Sequence, residues 1–169
     1  AAGNYEMQLN IKLNGEKKAI SPYIYGVNEA GNSTSLKKVT THSLRQGGNR
    51  FTGYNWENNY SNAGRDWNDS SDTNMGDVTD GPAYQARRLS KEAAENNVDY
   101  KMATLQMAGY TSADKNGTVA ASEVAPSSRW NKVEFQKDGA LSDTPDLTDD
   151  TVYMDEYVNY LINNLGDST

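Results

Sequence analysis

Arginine, asparagine, tyrosine, tryptophan and glutamate crowd the segment LRQGGNRFTGYNWENNYSNAGRDW, Leu44 to Trp67, which spends few positions on aliphatic residues. Aromatic rings beside amide and guanidinium donors suit a sugar, whose faces are apolar and whose rim carries hydroxyls. A carbohydrate site is the first expectation. Arg45 falls at the end of an expected strand, where a forked guanidinium can orient a carboxylate through two hydrogen bonds. Asn49, Arg50, Asn55, Asn58 and Asn59 carry groups that bond hydroxyls, although asparagine equally shapes turns. Tyr54, Trp56 and Trp67 supply rings for stacking on a pyranose, and Trp130 in Arg129-Trp130-Asn131 is a further ring; the competing role for each is a place in the core.

Acid–base cleavage of a glycosidic bond needs two carboxylates about 5 Å apart for retention and further apart for inversion. Glu29, Glu57 and Glu123 are the loop acids, and no Asn-Glu-Pro occurs, so no catalytic pair is expected within the chain. Glu57, between Trp56 and Asn58, can face a sugar or a cation. Asp66, Asp69, Asp72 and Asp77, and then Asp146, Asp149 and Asp150, offer the hard oxygens that calcium prefers, or simply solvate their loops. His42 is the single histidine, which leaves no Ser-His-Asp triad and no histidine-rich metal site. Gly47-Gly48 lacks the later glycine and lysine of a nucleotide loop.

The formal charge of −7 over 169 residues and the scatter of the basic ones argue against nucleic acid, which requires clustered Lys and Arg. No apolar run reaches the roughly 20 residues of a membrane span. Hydrophobic residues make up 36%, and 14 glycines accompany many Asn, Asp, Ser and Thr, so a loop-rich extracellular chain is expected. The absence of cysteine constrains the compartment only weakly.

These residues need elements to hold them. Met7 to Leu13 alternates apolar and polar, Asn14-Gly15 signals a tight turn, and Lys17 to Ile20 returns, which predicts an opening hairpin closed by Ser21-Pro22. Tyr23 to Asn28 and His42 to Gln46 read as strands emptying into polar loops, Glu29 to Ser35 being the first of these. Pro82 to Asn97 places Ala83, Ala86, Leu89 and Ala93 near one helical stripe. Val98 to Met107 follows as a strand, Ala108 to Thr148 as a long irregular stretch, and Asp149 to Leu165 as a helix stopped by Gly166. Strands alternating with helices and long loops predict an α/β fold with parallel strands, whose C-terminal ends carry the binding loops.

Several long stretches carry a family pattern: SPYIYGVN from Ser21, RQGGNRFTGYNWENNYSNAGRDW from Arg45, VDYKMATLQMAGY from Val98, RWNKVEF from Arg129 and DDTVYMDEYVNYL from Asp149. Together they resemble glycoside hydrolase family 44. The resemblance implies a secreted bacterial endo-β-1,4-glucanase acting on cellulose-type glucans or xyloglucan, with a retaining mechanism and a TIM-like barrel joined to a β-sandwich. On that basis residues 1–22 would be N-terminal strands of the sandwich and residues 23–169 the first three βα units of a TIM-like (β/α)8 barrel, incomplete as a single chain. Length agrees, since a complete barrel takes roughly 250 residues. The family's two glutamates would follow on sequence beyond Thr169, so the chain alone would be inactive and its partners would be a β-1,4-glucan and the C-terminal remainder of the module. The substrate-binding candidates are then Arg45, Asn49, Tyr54, Trp56, Glu57 and Trp67, and Glu57, Asp149 and Asp150 would hold a structural calcium ion. The rival reading is a non-catalytic carbohydrate-binding module, which would be an all-β sandwich.

Overall fold

The computed structural model describes residues 5–28 and 41–165. Its strands are β1 (Gly26–Asn28), β2 (Ser43–Arg45), β3 (Ser61–Asn62), β4 (Ser70–Asp72), β5 (Tyr100–Met102), β6 (Tyr110–Ser112), β7 (Gly117–Thr118), β8 (Trp130–Glu134) and β9 (Thr151–Tyr153), and its helices are α1 (Tyr84–Asn96) and α2 (Met154–Leu165). The polar loop expected at Glu29 to Ser35 and the stop at Gly166 lie outside the described residues.

β1, β2 and β5 form a parallel sheet in that order, with Val27 opposite Leu44 and Leu44 opposite Lys101. The alternation of side chains along a strand sends Leu44 to one face, where it packs with Val27 and with Leu89, Ala93 and Val98 beneath α1. Ala86, Leu89 and Ala93 recur at helical spacing and give α1 this buried stripe. Asn97 closes the helix in the left-handed region at φ 54°, and Val98 N–H returns to the Ala93 carbonyl at 2.9 Å, the geometry that asparagine tolerates at a C-terminus. The opposite face of the sheet presents Arg45, Tyr100 and Met102 to solvent.

A second core joins Phe51, Tyr54, Trp56 and Ala86 to Val133, Val152, Met154, Tyr157 and Tyr160. Val133 and Val152 face each other across the parallel β8–β9 pair, β6 runs antiparallel to β8, and β3, β4 and β7 make a small antiparallel sheet. The architecture is mixed α/β with parallel strands, as the alternation predicts.

Several boundaries differ from expectation. The hairpin does not pair: only the turn forms, with Gly15 N–H to Lys12 C=O at 3.3 Å, and Met7, Leu9, Ile11 and Leu13 are exposed. An amphipathic strand needs a surface for its apolar side, and no described residue covers this one. The expected strand from Val98 to Met107 shortens to Tyr100–Met102, and the irregular stretch holds β6, β7 and β8. The last helix starts at Met154 rather than Asp149, because the β-branched Thr151 and Val152 pair with β8 first. Among the described residues no helix is long and apolar enough to cross a membrane.

Candidate functional site

The C-terminal ends of β2 and β5 are stitched together by polar groups. Gln46 N–H donates to Met102 C=O at 2.9 Å, Thr104 N–H to Gln46 Oε1 at 3.0 Å, and Thr104 Oγ1 to Gln46 C=O at 3.1 Å. Gln106 Nε2 donates to Phe51 C=O at 3.2 Å. Beyond Arg45 the chain turns at Gly48, whose φ of 107° is strained for any side chain. Between the loops lies a cavity of about 530 Å³ bounded by Arg45, Gly47, Phe51, Leu105 and Met107. Arg45 is exposed at its rim, and among the described residues its guanidinium has no carboxylate partner.

Trp67, 66% exposed, stands over an adjoining cavity of about 280 Å³ with Asn49, Asp66 and Met75. Asn49 is exposed, but its amide is engaged, donating to Ala63 C=O at 2.5 Å and to Asp66 Oδ2 at 3.0 Å. Of the candidate sugar contacts, Arg45, Asn49 and Trp67 thus share one surface at the strand ends.

Tyr54 and Trp56 do not join it. Both are fully buried: Tyr54 donates its hydroxyl to Asn59 Oδ1 at 2.7 Å, and Trp56 stacks on Tyr157 with centroids 5.2 Å apart and planes 11° apart. Their rings serve the second core and cannot reach a pyranose. The neighbouring amides are turned inward as well. Asn55 and Asn58 both donate to Ser112 C=O, and Asn59, at φ 66°, donates to Asp77 C=O and Gly81 C=O while accepting from Tyr84 N–H. Arg50 clasps Asp72 through two bonds of 2.5 and 2.9 Å. Burial pushes the Asp72 carboxyl up, but the bonds from Arg50 and Asn74 and the Arg50 charge outweigh it and hold the acid below its ordinary value.

Glu57 faces a different space. It lines a cavity of about 810 Å³ with Asn58, Tyr60, Tyr110, Trp130, Asp149 and Asp150. Its side chain is buried and, among the described residues, its carboxylate accepts no hydrogen bond. Burial, then the negative charges of Asp149 and Glu156, push it up to about 8; Lys137 pulls the other way. Lys137 is itself held by Glu156 at 2.6 Å. Glu57, Asp149 and Asp150 therefore border one acidic cavity, the donor chemistry that suits a hard divalent cation. Among the described residues no three acidic or histidine side chains converge to metal-binding spacing. The loop acids are separately engaged: Asp66 by Asn49, Asp72 by Arg50 and Asp77 by Lys115. Sequence reasoning missed Glu156 and Lys137; the signal was an acid sharing a helical stripe with Tyr153, Tyr157 and Tyr160.

The model of glycoside hydrolase family 44 matches residues 60–169. A protein called beta-mannanase/endoglucanase A, from Caldicellulosiruptor saccharolyticus, is 47% identical over 167 residues, which is 95% of this chain and 12% of that protein. The crystal structure of a family 44 endoglucanase from Clostridium thermocellum superposes with a TM-score of 0.79 at 49% identity, covering 89% of this chain and 30% of that one. A Paenibacillus polymyxa family 44 xyloglucanase, solved with xyloglucan, gives a TM-score of 0.75 at 43% identity over 86% of this chain and 29% of that one. The chain spans less than a third of each of these relatives.

Proposed function

The chain belongs to glycoside hydrolase family 44, and from that premise we propose that it forms the N-terminal part of a secreted bacterial, retaining endo-β-1,4-glucanase acting on cellulose-type glucans or xyloglucan. The observation that carries the reading is the surface at the C-terminal ends of β2 and β5, where Arg45, exposed and without a carboxylate partner among the described residues, shares adjoining cavities with Asn49 and Trp67. Parallel α/β folds build their sites at that end of the strands. In this assignment Arg45 orients an acid supplied by the remainder of the module, Trp67 stacks on a sugar ring, and the two catalytic glutamates lie outside this chain.

The three parallel strands are then the first βα units of a TIM-like barrel over residues 23–169, and residues 1–22 are strands of an accompanying β-sandwich. The exposed face of the sheet and the exposed Met7, Leu9, Ile11 and Leu13 support both assignments, since each is an apolar or inward-type surface without a cover among the described residues. Calcium belongs to the proposal through the acidic cavity. Glu57, Asp149 and Asp150, which border the cavity without converging to metal-binding spacing, would have to draw together to hold it, and the ion would supply the positive charge that the buried Glu57 carboxylate lacks. A non-catalytic binding module is disfavoured, because such modules are usually all-β and α1 and α2 carry much of both cores here.

The test is complementation. The chain alone should leave xyloglucan and a soluble cellulose derivative intact, and adding the C-terminal remainder of the module at equal concentration should restore release of reducing ends. Hydrolysis by the chain alone, or no activity from the reconstituted pair, would overturn the reading.

A further inference from the structure

The sequence contains two Asn-Gly pairs, Asn14-Gly15 and Asn116-Gly117, and the fold treats them differently. We propose that Asn14 is a site of spontaneous backbone-assisted deamidation and that the fold protects Asn116 from the same reaction. The inference does not use the glucanase reading, in which Asn14-Gly15 is the turn of the opening hairpin.

The chemistry needs only the peptide and water. The Gly15 backbone nitrogen, once it loses its proton to hydroxide, attacks the Asn14 side-chain carbonyl carbon; a C–N bond forms, the bond to the amide nitrogen breaks, and ammonia leaves with a proton from solvent. The product is a five-membered cyclic imide. Water then opens it at either carbonyl, giving aspartate or isoaspartate. No oxidant, metal or enzyme is required. A glycine in the following position favours attack because it places no Cβ against the side chain and gives the backbone the freedom to reach the cyclic geometry.

Asn14 meets these demands. Residues 5 to 25 are exposed throughout, and among the described residues no side-chain hydrogen bond holds Asn14 and the backbone there carries a single turn bond, Gly15 N–H to Lys12 C=O, which at 3.3 Å is a long one. A Cβ placed on Gly15 would meet nothing nearer than the Lys12 carbonyl oxygen at 3.4 Å, so the approach is open.

Asn116 is also exposed, but its backbone is clamped. Asn116 N–H donates to Asp114 Oδ1 at 2.9 Å, Gly117 pairs with Ser71 across β4 and β7, and Gly117 C=O accepts from Arg129 Nη2 at 3.1 Å. Arg129 is anchored in turn by Asp114 at 2.5 Å and Glu123 at 3.1 Å. Cyclisation requires the Asn116-Gly117 backbone to rotate, and rotation breaks these charge-assisted bonds together.

The consequence at Asn14 is a change of shape as well as charge. Isoaspartate routes the main chain through the side-chain methylene, which lengthens a turn that Lys12 and Gly15 close, and either product adds one negative charge to a chain of formal charge −7.

Incubation of the chain at mildly alkaline pH, followed by peptide mass spectrometry with an isoaspartate-specific methyltransferase readout, tests the proposal. Asn14 should convert at least about tenfold faster than Asn116 in the native buffer, the difference expected when local structure must open before reaction. In strong denaturant the two rates should converge. Gly15→Ala should slow conversion at Asn14 and leave Asn116 unchanged. Equal rates in native buffer, or a difference that survives denaturant, would overturn the assignment.

Discussion

Replacing Trp56 by alanine separates a core role from a sugar-stacking role. The indole is fully buried, parallel to Tyr157 at 5.2 Å and tilted against Tyr160 at 5.8 Å, so its removal opens a void at the junction of α2 with the loop from Phe51 to Trp56. An aromatic side chain of this kind withdraws on the order of 200 Å² from water, which at roughly 25 cal/mol per Å² amounts to about 5 kcal/mol. Aromatic-to-alanine changes in cores cost about 3–5 kcal/mol, and that range bounds the expectation here. The indole N–H has no partner among the described residues, so no hydrogen bond to them is lost, and Trp56→Phe should cost only about 1–2 kcal/mol. Urea unfolding of the complete module, followed by circular dichroism, reads both numbers, and calorimetric titration with a cello-oligosaccharide reads the affinity of the folded fraction. The alanine variant should lose stability and keep its affinity. A variant with an unmoved midpoint and weakened binding would refute the burial argument and return Trp56 to the cleft.

Three further outcomes follow from individual side chains. Because burial and nearby acids raise Glu57 from 4.5 to about 8, the folded chain retains a proton that the unfolded chain releases; its stabilisation is complete below pH 4.5 and drains as pH rises toward 8, with a ceiling of about 5 kcal/mol. Glu57→Gln should flatten that loss in calcium-free urea titrations between pH 5 and 9, and calcium should restore stability at pH 8 in the parent but not the variant; identical pH profiles would count against it. Asp72, lowered below its ordinary 3.8, stabilises above that pH and loses its effect as pH falls, so Asp72→Asn should cost about 1 kcal/mol at neutral pH and progressively less as pH falls below 3.8, measured by the same unfolding assay. Arg45→Ala should lower kcat of the complete module about a hundredfold, because it removes the group proposed to orient the acid, while the unfolding free energy of this chain, in which Arg45 is exposed and has no carboxylate partner among the described residues, stays within about 0.5 kcal/mol of the parent. Unchanged kcat would remove Arg45 from the site.

What could be read from the chain follows from which signals are local. The stripe of Ala86, Leu89 and Ala93 specifies α1 because helical spacing is a property of the segment itself, and the parallel order of β1, β2 and β5 follows from strands separated by a helix and long loops. The hairpin expected at Met7 to Ile20 is unpaired among the described residues, because alternation reports the need for a covering surface and not its presence. Thr151 to Tyr153 misled in the opposite sense: the acids and tyrosines of that region have helical spacing, while the β-branched pair at its front found a neighbouring strand. Arg45 was legible as a strand-end residue, whereas the depths of Trp56 and Trp67 were not, because polar neighbours surround both rings and conceal that Trp56 is inside and Trp67 outside.

That concealment has a structural cause. Rings interleaved with asparagines compose a sugar-binding surface, yet the same composition builds an inner frame wherever irregular backbone must be buried. Residues 53 to 59 form no strand or helix and are buried, so their carbonyls and amides, and those of the loops they touch, need partners that regular structure would otherwise supply. Asn55 and Asn58 meet the Ser112 carbonyl, Asn59 meets those of Asp77 and Gly81, and Asn62 meets that of Asp69 at 2.8 Å. Asparagine is suited to the task because one short side chain both donates and accepts and because it tolerates the left-handed backbone found at Asn59. Trp56 and Tyr54 then fill the space between this frame and α2. The segment that reads most strongly as binding surface thus divides by depth: its interior, from Gly53 to Asn59, immobilises the loop, and its flanks at Arg45, Asn49 and Trp67 are what remains exposed for the proposed contact with a glucan.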